Sequence, residues 1–385
     1  MPRPPHPAAA AAAMPDAVFS PVAHRLAEVR GPVFPLHVGD TWMEPFQGAQ
    51  MESLATSDHP GIHRYCATQG IPPLLDAIVD KVRTRNGLAC ERESLLVCGG
   101  ATAGLAATIG ALADPGDEIL ILAPFWPLIR GISQALRARP VEVPFFDRVD
   151  SAEAAVEAVR EHLSERSVAL YFSTPSNPTG RVLPESWLAA LAELAREANL
   201  WIFSDEVYED YVYRGEHVSM ARLAPERTIS VFSFSKAYGM AGNRVGYLVG
   251  PRDVIGQAHK IGVHTVYHAP TAGQWAALEA LRGGAEWVRE ARDVYRIAGS
   301  DAARTLGLAE PEGSMFLFAP VADVLDARGM QGLLEDCLED GVLVAPGASS
   351  GGAYADWIRL CYSSAPPDAV AEGVRRLARR LGGAS

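Results

Sequence analysis

The chain has 385 residues, 48% of them hydrophobic, so it can bury a large core and is expected to divide into more than one domain. Its formal net charge of −12 argues against general nucleic-acid binding, which needs lysine and arginine to neutralise phosphates; a small anionic ligand would need a local positive pocket. Five cysteines, Cys66, Cys90, Cys98, Cys337 and Cys361, show neither metal-type pairing nor the density of a disulfide framework, which points to a reducing, cytoplasmic setting and to no metal.

Pro2 to Pro15 is an alanine tract broken by prolines, without the cationic start and apolar core of a secretory signal. Residues 1–17 are expected to form a disordered tail, and Met14 is an alternative start. Charges or prolines interrupt every apolar stretch before it is long enough to span a membrane, so the protein is expected to be soluble.

Onward, short apolar segments alternate with helical ones. Pro73 can open a helix carrying Leu74, Leu75, Ile78, Val79 and Val82, with Gly87 beyond its end. Trp187, Leu188, Leu191, Leu194 and Ala195 mark the apolar face of another. Leu95 to Cys98, Glu118 to Leu122, Val168 to Ser173, Leu200 to Ser204, Thr228 to Phe232 and Gly246 to Gly250 read as strands, several without polar alternation, as expected when both sheet faces are covered. The pattern predicts an α/β fold with a largely parallel sheet between helical layers, and ligands gather at the carboxyl ends of such strands.

Residues suited to chemistry follow those strands. After Leu95 to Cys98 comes Gly99-Gly100-Ala101-Thr102 and an apolar helix, whose first N–H groups can face an anion; the same pattern also makes an ordinary tight connection. It has neither the Walker spacing nor the dinucleotide fingerprint. After Glu118 to Leu122, Pro124-Phe125-Trp126 offers Trp126 as a surface for a flat ring, although a tryptophan beside a strand is also common core. In Thr174-Pro175-Ser176-Asn177-Pro178-Thr179-Gly180 the prolines fix the backbone around Asn177, which is expected to be presented rather than buried, with plain turn chemistry as the alternative.

Asp205 ends the next strand, with Tyr208 expected one helical turn on. The acid can pair with a protonated ring nitrogen, or cap a helix while Tyr208 packs as an ordinary aromatic. Lys236 then sits in SFSKAYGMAGNRVGY, preceded by Ser233 and Ser235 and followed by Arg244. A lysine becomes a nucleophile only when burial or nearby cations lower its pKa, and a guanidinium grips phosphate oxygens with two hydrogen bonds. A reactive amine among phosphate-binding groups suggests pyridoxal 5′-phosphate.

Asn177 in NPTG, Asp205 with Tyr208, and SFSK with Arg244 together resemble the fold-type I pyridoxal-phosphate enzymes, specifically the class I/II aminotransferases related to aspartate aminotransferase. The resemblance covers nearly the whole chain from about Val18. It implies that Gly39 in LHVGD lies beside the substrate, that Arg359 in IRLCYS holds the substrate carboxylate, and that Tyr65 reaches the cofactor phosphate of a neighbouring subunit in a homodimer. It further implies a large cofactor-binding domain over 45–280 and a smaller α+β domain built from 18–44 and 281–385.

Under that reading Lys236 carries the cofactor as a Schiff base and moves the substrate proton, Asp205 keeps the ring an electron sink, and Asn177 and Tyr208 tune the ring oxygen. Gly100, Ala101, Thr102, Ser233, Ser235, Arg244 and the partner subunit's Tyr65 hold the phosphate. The implied reaction moves an amino group from an L-amino acid to a 2-oxo acid. A lyase or oxidase would share the same cofactor site, and a non-catalytic regulator would normally need an attached DNA-binding domain. Around Asp40-Thr41-Trp42-Met43-Glu44 the chain lacks the glycine-X-proline continuation common in relatives. Arg64, Arg130 and Arg282 are candidate side-chain clamps by charge alone, whereas Trp42, Tyr267 and His264 would suit an aromatic substrate.

Overall fold

Leu95–Cys98, Glu118–Ala123 and Trp201–Asp205 carry unbroken runs of apolar residues because both faces of the sheet they form are covered. A computed structural model describes residues 4–14 and 19–382 of the chain. After a short strand β1 (Phe34–Pro35), the chain lays down β2 (Leu95–Cys98), β3 (Glu118–Ala123), β4 (Arg139–Pro144), β5 (Ser167–Ser173), β6 (Trp201–Asp205), β7 (Thr228–Ser233) and β8 (Gly246–Val249). These seven later strands form one sheet in the order β2-β8-β7-β6-β5-β3-β4, parallel except for β8, which runs against both neighbours.

Alternate side chains of the central strands enter opposite cores. Leu120, Leu122, Leu170, Phe172 and Ile202 pack with the helices Ala152–Arg160 and Glu185–Glu197. Ile119, Ile121, Ala169, Tyr171 and Phe203 face the helices Ala101–Leu112 and Arg252–Thr265. The six strands expected from the apolar runs all form, with ends shifted by a residue at most. β4 escapes that reading because Pro140 and Pro144 interrupt it. It lies at the sheet edge, bonded only to β3, where proline's missing donor is tolerated.

The remaining strands lie outside this sheet. β9 (Phe316–Pro320), β10 (Val342–Leu343), β11 (Ala345–Pro346) and β12 (Trp357–Cys361) make an antiparallel sheet β11-β12-β9, while β1 pairs in parallel with β10. The helix Pro367–Arg380 is amphipathic and buries Val370, Val374 and Leu377 against them, with Leu381 partly buried in the same core. Within the N-terminal tail Ala9–Ala12 form one helical turn; the parts of that expectation on 1–3 and 15–18 lie outside the described residues. No described helix is long and apolar enough to cross a membrane.

Register brings the strand ends together. Ser173 pairs with Asp205 and Asp205 with Val231, while Ser233 and Cys98 both pair with Gly246. Gly246 is where three backbones converge: a Cβ there would lie 2.7 Å from the Phe232 oxygen and 2.8 Å from the Ala101 nitrogen. Gly246→Ala is therefore expected to destabilise the protein by about 1–3 kcal/mol, read as a lower urea midpoint, because the backbone cannot yield as a flexible side chain would.

Candidate active site

The strand ends open into a cavity of about 200 Å³ that receives side chains from both sheets. Ala101, Thr102, Trp126, Asn177, Asp205, Tyr208, Ser233, Ser235, Lys236 and Arg244 reach it from the large sheet, and Gly39 and Arg359 from the N-terminal arm and β12. Every residue expected to bind cofactor or substrate from the motifs and the family resemblance therefore lines it except Gly100 and Tyr65, whereas the side-chain clamps considered by charge alone, Arg64, Arg130 and Arg282, do not. Gly100 stands immediately behind, since a Cβ added there would lie 2.5 Å from Arg244 Nη2.

Gly100 takes a left-handed φ of 83° at the start of the helix Ala101–Leu112, which aims the first free N–H groups of that helix at the cavity. Arg244, itself at φ 54°, reaches over this turn, with Nη1 donating to the Ala241 carbonyl at 2.8 Å. Ser233 caps the short helix Phe234–Ala237 by accepting from the Ser235 N–H at 3.0 Å, which fixes the turn on which Lys236 rides. Tyr211 Oη donates to the Lys236 carbonyl at 2.9 Å and clamps the same turn from below.

Lys236 Nζ donates to the Gly39 carbonyl and lies 3.9 Å from Asp40 Oδ1. Burial pushes its pKa down, helped by Arg359 and Arg244 and opposed by Asp40. A larger share of neutral amine follows at any given pH.

Asp205 is 4% exposed and receives only the Tyr171 hydroxyl, at 2.8 Å, and a long bond from the Val207 N–H at 3.4 Å. No cation pairs with it among the described residues, and burial raises its pKa to about 6. The segment after it is a turn rather than the expected helix, with Glu209 N–H bonded to the Glu206 carbonyl at 3.0 Å, so Asp205 caps nothing. Tyr208 still reaches the cavity, where Asn177 Nδ2 donates to its hydroxyl at 3.4 Å.

Asn177 departs from expectation. It is 4% exposed, because Arg359 and Tyr208 close over the rigid proline-flanked turn. Arg359, 2% exposed, donates from Nη1 to Asn177 Oδ1 at 3.1 Å and from Nη2 to the His37 carbonyl at 2.8 Å. Its Nε is buried without a partner among the described residues. The guanidinium lies over the Phe316 ring at 4.7 Å and near Phe19 at 5.6 Å.

Tyr65 stands apart, 82% exposed and edge-on to Tyr267 at 5.0 Å. Trp42, Tyr267 and His264, considered for an aromatic substrate, do not contribute to the lining either. Sequence reading missed Phe19, Val38, Leu128, Val207 and Ala241, which do. Val207 and Ala241 could have been found by their places beside Asp205 and Arg244. Phe19, Val38 and Leu128 are apolar side chains with no chemical signature of their own, and only the fold gathers them.

The family model described as aminotransferase class I and II matches residues 34–377. The chain is similar to an aspartate/prephenate aminotransferase of Thermus thermophilus, 34% identical over 84% of each chain. It is 32% identical to an arginine–pyruvate transaminase of Pseudomonas aeruginosa, again over 84% of each. Among solved structures, the aspartate aminotransferase of Thermus thermophilus with maleate superposes with a TM-score of 0.88 at 30% identity, covering 98% of this chain and 100% of that one.

The Asp205 carboxylate makes the stability of the cofactor-free protein depend on pH in a defined sense. Its folded-state pKa lies above the unfolded value of 3.8, so the native state binds the extra proton and stability falls as pH rises from about 4 to about 6. Asp205→Asn removes this term. Relative to that variant, the unliganded protein is expected to gain about 2 kcal/mol in urea unfolding between pH 7 and pH 4.

Proposed function

Because the chain belongs to the class I and II aminotransferases, pyridoxal-phosphate-dependent enzymes that transfer amino groups, we propose that Lys236 holds the cofactor covalently and that Arg359 holds the carboxylate of the amino-acid or 2-oxo-acid substrate. The observation that carries the reading is Asp205. A buried carboxylate with no cation beside it, at the end of a central strand, fits a group that brings a protonated ring nitrogen. The cradle of free N–H groups at Ala101 and Thr102, under Arg244, fits a phosphate equally well.

When bound, pyridoxal phosphate supplies a ring that withdraws electrons from the reacting carbon of the substrate. Asp205 keeps the ring nitrogen protonated, and Tyr171 holds the carboxylate in place. Asn177 and Tyr208 share the ring oxygen. Ala101, Thr102, Ser233, Ser235 and Arg244 would hold the phosphate, with Gly100 shaping the turn behind them, and Trp126 would offer the ring an apolar surface. The Arg359 fork, with Nε still free, takes the substrate carboxylate beside Gly39. Once the substrate amine has taken its place on the cofactor, the freed Lys236 Nζ, its pKa lowered, would take the proton from the substrate Cα and pass it on to the cofactor side of the new bond.

The same reading divides the chain into a large domain over 45–280 and a small one from 18–44 and 281–385, supported by the pairing of β1 with β10. It makes the enzyme a cytoplasmic homodimer in which Tyr65 completes the neighbouring site. Support comes from the exposed aromatic group of Tyr65 and Tyr267 on the surface of the single chain.

Lys236→Ala is expected to keep the cofactor by its phosphate contacts but to lose nearly all transfer and every borohydride-reducible link to the protein. A reducible link persisting in that variant would place the attachment elsewhere. Arg359→Lys retains charge but loses the planar fork, so the KM for amino-acid donors should rise by about 10- to 100-fold, equivalent to roughly 1.5–3 kcal/mol of charged hydrogen bonding.

A further inference from the structure

Charged side chains around the cavity can be accounted for one by one. Its lining contains three cations, Lys236, Arg244 and Arg359, and one anion, Asp205. In the reading above, Lys236 takes the cofactor, Arg244 its phosphate, Asp205 its ring nitrogen and Arg359 the substrate carboxylate. Among the described residues of one chain, none remains for a second charge on the substrate.

We infer that the enzyme's preferred amino acids carry an uncharged, apolar side chain, received by Phe19, Val38 and Leu128; the inference rests on the aminotransferase reading. Phe19 borders the substrate end, because its ring lies 5.6 Å from the Arg359 guanidinium. Val38 precedes Gly39, whose carbonyl accepts from Lys236, and is 40% exposed although apolar. The arginines considered from the sequence as side-chain clamps stand outside the lining. Arg130 lies 3.4 Å from Glu142 and donates to the Ser349 carbonyl at 2.8 Å, while Arg282 pairs with Glu279 at 3.0 Å. Arg64 is exposed beside Tyr65, outside the cavity. Asp40, 3.9 Å from Lys236 Nζ, adds a negative charge that repels a second carboxylate. A dicarboxylate would thus desolvate one charge with no partner, whereas an apolar side chain loses only water.

The test uses the holoenzyme with leucine, phenylalanine, aspartate and arginine as donors to a common 2-oxo acid. Alongside, the unreactive carboxylates 4-methylpentanoate and succinate are titrated by change in the visible spectrum and by thermal shift. Leucine or phenylalanine is expected to exceed aspartate and arginine at least tenfold in kcat/KM, with 4-methylpentanoate binding at least tenfold tighter than succinate. Phe19→Ala should weaken 4-methylpentanoate severalfold and leave succinate nearly unmoved. Equal or tighter succinate binding overturns the inference, and its loss in Arg64→Ala would identify a clamp supplied by a second copy. Preference for arginine overturns it in favour of Asp40 as a cation partner. Absence of oxo acid from every donor, by contrast, sinks the aminotransferase reading itself.

Discussion

An isolated carboxylate at the end of a central strand sets the terms for the whole site. Burying Asp205 without a cation is costly, and the protein offsets only part of that cost with the Tyr171 hydroxyl and one backbone amide. The strand cannot move the group back towards water, because Asp205 is locked in register between Ser173 and Val231. A cationic group bound in the cavity would offset the rest of that cost. Cofactor affinity and chain stability are thereby coupled, since a ligand that binds only the native state stabilises it.

Around this charge, polar groups divide into fixed ones and free ones. Asn177, Tyr208 and the backbone of the Lys236 turn are held by hydrogen bonds within the protein. Arg359 Nε and the N–H groups at the start of the helix Ala101–Leu112 remain open. The fixed groups orient, and the open ones are available to a ligand. Preorganisation of this kind lets binding energy go into positioning rather than into ordering the site.

Much of this arrangement was legible in the residues. Unbroken apolar runs revealed six of the seven large-sheet strands, and the polar residues just after them proved to converge, as expected when parallel strands end at one edge. β4 was hidden by its prolines. Asn177 looked exposed because a proline-framed turn usually lies at the surface; its burial depends on Arg359, 182 residues away. Phe19, Val38 and Leu128 were illegible for the same reason: an apolar wall has no spacing rule, and its members come from separate parts of the chain. Tyr65 was legible only through resemblance, since one chain leaves it in solvent.

The hydrogen bond from Arg359 to the His37 carbonyl spans 322 residues of sequence, and the Trp42 N–H reaches the Ser363 carbonyl across nearly as many. Closing so long a loop carries an entropic cost that local contacts must first offset. All seven strands of the large sheet and the phosphate cradle are synthesised before β12, so the half of the site that grips the cofactor precedes in the chain the half that grips the substrate. A nascent chain stalled before Arg359 would therefore hold the means to capture the cofactor while remaining blind to the amino acid.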